Sequence, residues 1–309
     1  MLSVILPAYN EETMISTVVD TIGAILVREA IPYELVFVDD GSKDGTWVEL
    51  CRKVEEDPRV RGVRLSRNFG KEAAMFAGLE YAVGDCCVVL DCDLQHPAEK
   101  IVEMYRLWQA GYEVVEGVKE SRGEEGVLHS FAAGTFYKLM SRATGFDMEN
   151  SSDFKLLDRK VVDTLNQMPE RAVFFRALSH WVGFRKVAVT YCVQERVAGE
   201  SKWSTCALIK YALTNITSFS SAPLQVVTIL GCIMMVFSLV LGGIALVQYC
   251  NGTALSGFTT VIFIQLFSGS IIMISLGIIG MYIARTYNEI KGRPRYIVSI
   301  TCGEVGRLS

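Results

Sequence analysis

Val88-Val89-Leu90-Asp91-Cys92-Asp93-Leu94-Gln95-His96-Pro97 is the stretch on which the reading of this chain turns. Val88, Val89 and Leu90 predict a buried strand of a parallel sheet, because a strand covered on both faces loses apolar–polar alternation. The run ends in Asp91 and Asp93, and side chains two apart share a face where the backbone stays extended. That end of a parallel sheet is where open α/β folds bind ligands. Carboxylate and amide oxygens (Gln95 follows closely) suit hard cations such as Mg²⁺ or Mn²⁺, which often bridge to phosphates. A metal-held diphosphate is one reading of the stretch, and an ordinary acidic strand-to-loop turn is the other.

Upstream, strands are expected over 3–6, 34–38 and 60–65, each followed by a polar loop and a helix. The helices fall at 13–29, capped by Thr13, at 47–56 and at 72–83. The loop 39–46, Asp-Asp-Gly-Ser-Lys-Asp-Gly-Thr, is too rich in Gly, Ser and Asp to be helical. Downstream come a helix over 98–110, a strand over 113–117, a charged Gly-containing loop over 120–127 and a helix over 128–141. A strand over 154–157, a helix capped by Asp158, a helix over 174–182 and a strand over 186–192 complete the series. Strand–helix alternation with short links implies an α/β domain, a mostly parallel central sheet covered by helices. No Gly-x-Gly-x-x-Gly follows the first strand and no Gly-x-x-x-x-Gly-Lys-Ser/Thr occurs, which excludes the usual dinucleotide and phosphate-loop folds.

The 309 residues suffice for one large domain and an appendage. From Tyr211 to Ala284 there is no Lys, Arg, Asp or Glu. Within that run, 222–248 and 258–284 are each long enough to cross a bilayer as a helix, with 249–257 as the turn. The stretch 203–221, with Trp203, Leu208, Tyr211 and Phe219, reads as interfacial juxtamembrane helices, or as helices packed on the first domain. Lys202 and Lys210 precede the spans, and Arg285, Lys291, Arg293 and Arg295 follow them. By the positive-inside rule both termini face the cytoplasm, giving a multi-pass cell-membrane protein with domain 1–202 and a basic tail 285–309 on that side. Leu2–Leu6 without a basic leader gives no signal peptide. Nine scattered cysteines and three distant histidines suggest neither a disulfide framework nor a zinc site. His96, His129 and His180 read as structural, and Arg67 and Lys71 as supports of the fold. The net charge of −4 argues against nucleic-acid binding.

The motifs together resemble a known pattern. Pro7-Ala8-Tyr9-Asn10-Glu11, Asp39-Asp40-Gly41-Ser42-Lys43-Asp44-Gly45-Thr46, Arg67-Asn68-Phe69-Gly70-Lys71, Asp91-Cys92-Asp93-Leu94-Gln95-His96-Pro97, Ser152-Asp153-Phe154, Gln194-Glu195-Arg196 and Gly199-Glu200-Ser201-Lys202 stand in the order found in family-2 glycosyltransferases of GT-A fold. More narrowly, the chain is similar to the polyprenyl-phosphate glycosyltransferases, the group of dolichyl-phosphate mannose synthases and bactoprenol glucosyltransferases.

That resemblance implies inverting transfer of one sugar from a nucleotide sugar to a polyprenyl (undecaprenyl) phosphate lipid at the bilayer. It places Pro7, Tyr9, Glu11 and Asp39 around the nucleoside, Arg122 toward the diphosphate, and Asp91 and Asp93, with Gln95 near, on Mg²⁺ or Mn²⁺. Asp153 would orient the donor sugar or act as base, with Asp93 beside it in the catalytic pair. Arg196 and Lys202 would hold the acceptor phosphate; membrane-surface anchoring is the competing account of both. The two trailing spans favour UDP-glucose as donor, with GDP-mannose, a UDP-N-acetylhexosamine or a modified pentose as alternatives. A non-catalytic membrane scaffold is the rival of a different class. Gly242, Gly243, Gly269, Gly277 and Gly280 fit either a homo-oligomer or close packing of two helices in one chain.

Overall fold

The computed structural model describes residues 1–119, 152–170, 174–192, 222–252 and 257–303. The chain divides into two compact units, Met1–Leu208 with Pro294–Ser309, and Ile209–Arg293.

The first unit is built on alternating strands and helices: β1 (Leu2–Ala8), α1 (Ile15–Arg28), β2 (Tyr33–Asp39), α2 (Thr46–Glu56), β3 (Val60–Leu65), α3 (Lys71–Tyr81), β4 (Cys86–Val89), α4 (Lys100–Gln109) and β5 (Val114–Lys119). After the undescribed stretch come β6 (Lys155–Asp158), α5 (Arg159–Gln167), α6 (Phe175–Trp181) and β7 (Lys186–Tyr191). The sheet order is β7-β5-β6-β4-β1-β2-β3-β8, where β8 is Val298–Cys302. β1, β2, β3 and β4 pair in parallel, and the largely apolar, buried β1 and β4 suit the covered centre of such a sheet. β6 runs antiparallel to both β4 and β5, and β8 antiparallel to β3.

Three expectations need correction. Thr13 does not cap α1; Met14 holds the cap position without a side-chain bond. The chain does not stay extended after β4: it turns at Cys92 and Asp93 and passes through Leu94 at φ 53°. The basic tail contributes β8, the edge strand of the sheet. Asp158 does cap α5, its carboxylate accepting from the Lys160 N–H. The loop 120–127 with Arg122, the helix 128–141, Arg196, Lys202 and the interfacial segment 203–221 lie outside the described residues.

α3 is apolar on nearly every side: Ala73, Ala74, Met75, Phe76, Ala77 and Leu79 are all buried. A helix of that kind can only sit inside a domain. Gly78 lets it lie against the sheet, since a Cβ there would stand 2.2 Å from Ile5 Cγ2. Elsewhere in the core, Lys155 is fully buried, with its ammonium 3.0 Å from Glu116 and bonded to Ser179 Oγ; His180 also meets Glu116 at 3.1 Å.

The second unit holds α7 (Ala222–Cys250) and α8 (Phe258–Ile290), which touch one another. Pro223–Ala245 and Val261–Ile290 have mean hydropathies of 2.5 and 2.2 and present their side chains outward. About 20 such residues span a hydrocarbon core, so both helices are long and apolar enough to cross a membrane. Their hydroxyls suit that setting: Thr228, Ser268, Ser270 and Ser275 each donate to the carbonyl one turn back.

Candidate active site

The loops leaving β1 and β2 are laced together by their own polar side chains. Asn10, in the left-handed region at φ 57°, donates its N–H to Ser42 Oγ, and its side-chain oxygen accepts from the Lys43 N–H. The Glu11 N–H reaches Thr46 Oγ1 at 2.9 Å, and the Gly45 N–H reaches the Glu12 carboxylate at 3.0 Å. Gly41 is required twice over. Its φ is +68°, and a Cβ there would lie 2.5 Å from the Arg67 carbonyl carbon.

The paired aspartates at the end of β2 divide the work. Asp39 is fully buried, accepting from the Ser42 N–H at 2.8 Å and meeting Arg64 Nε at 3.1 Å. It is not among the residues lining the cleft. Asp40 is, and its two oxygens accept from the Phe69 and Gly70 N–H groups at 2.7 and 2.8 Å. Burial raises the Asp40 carboxyl above the usual range, and those two N–H bonds work against the rise. Asp40 thereby clamps the loop that delivers Lys71.

A cleft of about 300 Å³ opens at this sheet end, lined by Pro7, Tyr9, Glu11, Asp40, Lys71, Asp91 and Asp93 among others. Pro7, Tyr9 and Glu11, singled out from the sequence, are among these lining residues. Lys71, read there as a support of the fold, is at the centre. Its Nζ lies 2.7 Å from Asp91 and 2.9 Å from Asp153. Burial pulls the Lys71 ammonium down, but Asp91 and Asp153 outweigh it and hold its pKa above the ordinary value.

Asp153 is gripped from a second side by Arg176 of α6, at 2.7 Å from Nε and 3.0 Å from Nη2, a two-pronged fork on one carboxylate. Burial alone would raise this carboxyl; the Lys71 and Arg176 charges together hold it well below the usual carboxylate range. Its neighbour Ser152 donates to the Gly117 carbonyl at 2.6 Å, so the backbone around Asp153 is pinned to β5. Beside it, Glu72 accepts the Phe175 N–H at 2.8 Å. Burial, reinforced by Asp153, pushes the Glu72 carboxyl up to about 8. The sequence offers no signal for Arg176, which sits in an apolar helical stretch.

Asp91, Asp93 and His96 place a ligand atom each within 4.8 Å of one another. His96 packs against Phe154 and Tyr191, at ring distances of 5.0 and 5.3 Å. Burial depresses its pKa, which favours the neutral imidazole that binds metals. Its Nδ1 is buried with no hydrogen-bond partner among the described residues. A mixed carboxylate–imidazole set of this kind fits a divalent cation. His96, read from sequence as structural, thus completes the acidic pair. The Gln95 N–H donates to Asp93 Oδ1 at 3.1 Å and fixes the turn between them.

Comparison with known proteins agrees with this geometry. Residues 3–165 match the model of glycosyl transferase family 2. The chain is 39% identical over 304 residues to an uncharacterized glycosyltransferase of Bacillus subtilis, covering 97% of this chain and 94% of that one. It is 38% identical over 299 residues to the prophage bactoprenol glucosyl transferase homolog of Escherichia coli K12, covering 96% and 98%. Among solved structures, glucosyl-3-phosphoglycerate synthase of Mycobacterium tuberculosis shares the fold, with a TM-score of 0.51 at 21% identity over 70% of this chain and 76% of that one. A mixed sheet of this order, with an Asp/Asp/His cluster compatible with a divalent cation beside its cleft, is that of a GT-A glycosyltransferase, and the chain belongs to glycosyl transferase family 2.

Proposed function

We propose that this enzyme transfers a single sugar, with inversion, from a nucleotide-sugar donor to polyprenyl phosphate at the cytoplasmic face of the cell membrane. UDP-glucose is the donor of first choice, on the strength of the likeness to bactoprenol glucosyl transferases along nearly the whole chain. The observation that carries the reading is the joining, in one chain, of the Asp91–Asp93–His96 cluster with two membrane-length helices.

The residues divide the task as follows. Pro7, Tyr9 and Glu11 take the nucleoside along the cleft, with Asp39 behind them shaping the loop through Ser42 and Arg64. Asp91, Asp93 and His96, with Gln95 near, would hold Mg²⁺ or Mn²⁺. When bound, that ion supplies Lewis-acid stabilisation of the leaving diphosphate. Arg122 is assigned to the diphosphate, and Arg196 and Lys202 to the acceptor phosphate, where a charged fork fits phosphate oxygens. An acceptor phosphate oxygen attacks the anomeric carbon, the bond from that carbon to the diphosphate oxygen breaks, and nucleoside diphosphate leaves. A phosphate monoester has its second pKa near ~6, so its oxygen is already ionised at neutral pH. Asp153 therefore has no proton that it must remove. Held low by Lys71 and Arg176, it serves as a fixed acceptor that orients the donor sugar.

The test is incorporation of label from a panel of radiolabelled nucleotide sugars into the lipid fraction, with undecaprenyl phosphate, Mg²⁺ or Mn²⁺, and Asp93→Asn in parallel. Lipid label from one donor, abolished by chelator and in the variant, supports the reading and names the sugar. Turnover with a water-soluble acceptor and none with the lipid would reject it.

A further inference from the structure

The chain re-enters the first unit at Pro294, directly after α8 in sequence, and the next two residues dock on α3 and its neighbours. Arg295 Nε donates to the Glu170 carbonyl at 2.7 Å and its Nη2 to the Met168 carbonyl. The guanidinium lies 4.8 Å from the centroid of the Phe76 ring. The Tyr296 hydroxyl donates to Glu80 at the far end of α3. Phe76 meets Phe175 edge-on, with ring centroids 6.2 Å apart. The Phe175 N–H is held by Glu72, and the next residue, Arg176, forks onto Asp153. A contiguous line of contacts thus runs from Arg295 through Phe76 and Phe175 to Arg176 and the carboxylate in the cleft.

We propose that Arg295 is a positioning residue for the sugar-transfer centre: it braces Phe76 against Phe175 and so sets the angle at which Arg176 presents the Asp153 carboxylate. The claim rests on the transfer reading above. Three features favour positioning over mere anchoring. The bracing cation is itself locked by two backbone carbonyls, so it presents one orientation to the ring. α3 lies close on the sheet at Gly78, where even a Cβ would stand 2.2 Å from Ile5 Cγ2, so it has no room to shift toward the sheet. An opening of about 260 Å³ lies beside the strap, lined by Phe76, Glu80, Asn166 and Met168, so loss of the Arg295 side chain leaves Phe76 room to move.

The test uses the full chain in lipid nanodiscs and the donor that the wild type turns over. Arg295→Ala should lower kcat about tenfold while the donor KM stays within about twofold, because the Pro7–Tyr9–Glu11 wall is not on the line of contacts. Arg295→Lys keeps a cation over the ring and should recover part of the loss. Phe76→Leu should reproduce the loss and decides the matter if Arg295→Ala does not fold. In ¹⁵N-arginine-labelled protein the Arg176 Nε–H resonance should move in Arg295→Ala. It should stay in place in Ser299→Ala, which removes only a hydroxyl bonded to the Arg64 carbonyl on β3. A wild-type kcat and an unmoved Arg176 resonance in Arg295→Ala, even with a lowered Tm, would overturn the proposal. Absence of transfer by the wild type itself would instead defeat the transfer reading, and the resonance alone would then decide whether Arg295 positions Arg176.

Discussion

Replacing Arg176 is the sharpest perturbation of the site, because this residue touches Asp153 with two bonds and Lys71 supplies only one. Arg176→Lys keeps the charge but loses the fork. A hydrogen bond to a charged group is worth about 1.5–3 kcal/mol, so losing one prong at this 2.7 and 3.0 Å pair costs Asp153 about that much orientation. If the carboxylate must hold its place in the transition state, 1.36 kcal/mol per decade converts this to roughly a 10- to 100-fold fall in kcat. Arg176→Ala removes both bonds and the charge. Breaking a buried pair costs about 3–5 kcal/mol, but the Arg176 side chain is 27% exposed and Lys71 remains, so about 2–4 kcal/mol is the expected loss. The alanine variant also removes one of the two charges that hold the Asp153 carboxyl low. Its pKa then rises, and the acid limb of the kcat profile moves to higher pH. Initial rates of label entering lipid, at saturating donor and acceptor and with thermal melts alongside, measure all of this. Folded Arg176→Lys with kcat within about threefold of wild type would refute the reasoning, since the orientation of Asp153 would then not limit transfer.

Gly41→Ala places a methyl 2.5 Å from the Arg67 carbonyl carbon at a φ of +68°; the left-handed strain and the backbone clash together should cost about 2–4 kcal/mol, read as a lowered urea midpoint. Glu72, ordinarily near 4.5 and raised by burial to about 8, keeps a proton in the folded chain that the unfolded chain releases across that window. Stability of the wild type should therefore fall as pH rises from about 4.5 to about 8, and Glu72→Gln should flatten that slope in urea melts taken across the same range. Lys155→Ala removes the ammonium that faces the buried Glu116 carboxylate at 3.0 Å and leaves His180 beside it at 3.1 Å. Stability should fall by about 2–4 kcal/mol, somewhat less than for a fully broken buried pair, whereas Lys155→Met with Glu116→Gln should recover much of it.

The parts of this fold that were legible in the sequence are those set by local chemistry. β3 falls at Val60–Leu65, where Val60, Val63 and Leu65 supply the buried positions, α2 begins where the Gly-Ser-Asp loop stops, and Asp158 caps α5 through a bond to a backbone N–H two residues on. What was not legible depends on partners far away in the chain. β8, Val298–Cys302, is rich in β-branched residues, but its place in the sheet depends on β3, distant in sequence, offering an edge. The antiparallel pairing of β6 with β4 and β5 is likewise a long-range choice that no local pattern encodes. Thr13 looked like a cap because hydroxyls usually serve there, yet the loop after β1 is stitched to the β2 loop through Asn10, Glu11 and Glu12 instead.

The site divides along the same line, into what motif spacing singles out and what only tertiary packing brings to the cleft. Motif spacing singled out Pro7, Tyr9, Glu11, Asp91 and Asp93, at or just after the ends of β1 and β4, and Asp153, just before β6, whose antiparallel course starts at the same end of the sheet. Of the aspartate pair after β2, spacing could not separate Asp39 from Asp40, since only the crossing of the 66–70 loop decides which carboxylate faces the cleft. Gln95 and His96 posed the same problem, and Leu94 at φ 53° settles it by turning the chain so that the imidazole joins both carboxylates. Lys71 and Arg176 reach Asp153 across 82 and 23 residues of sequence, so only tertiary packing brings their charges onto one carboxylate. Holding Asp153 ionised and immobile by two cations is what an orienting acceptor needs. A general base would instead be poised with its pKa near the working pH. The ion pairs therefore favour orientation over proton abstraction as the task of Asp153, and a kcat profile without a basic group titrating near neutral pH is the result that this arrangement demands.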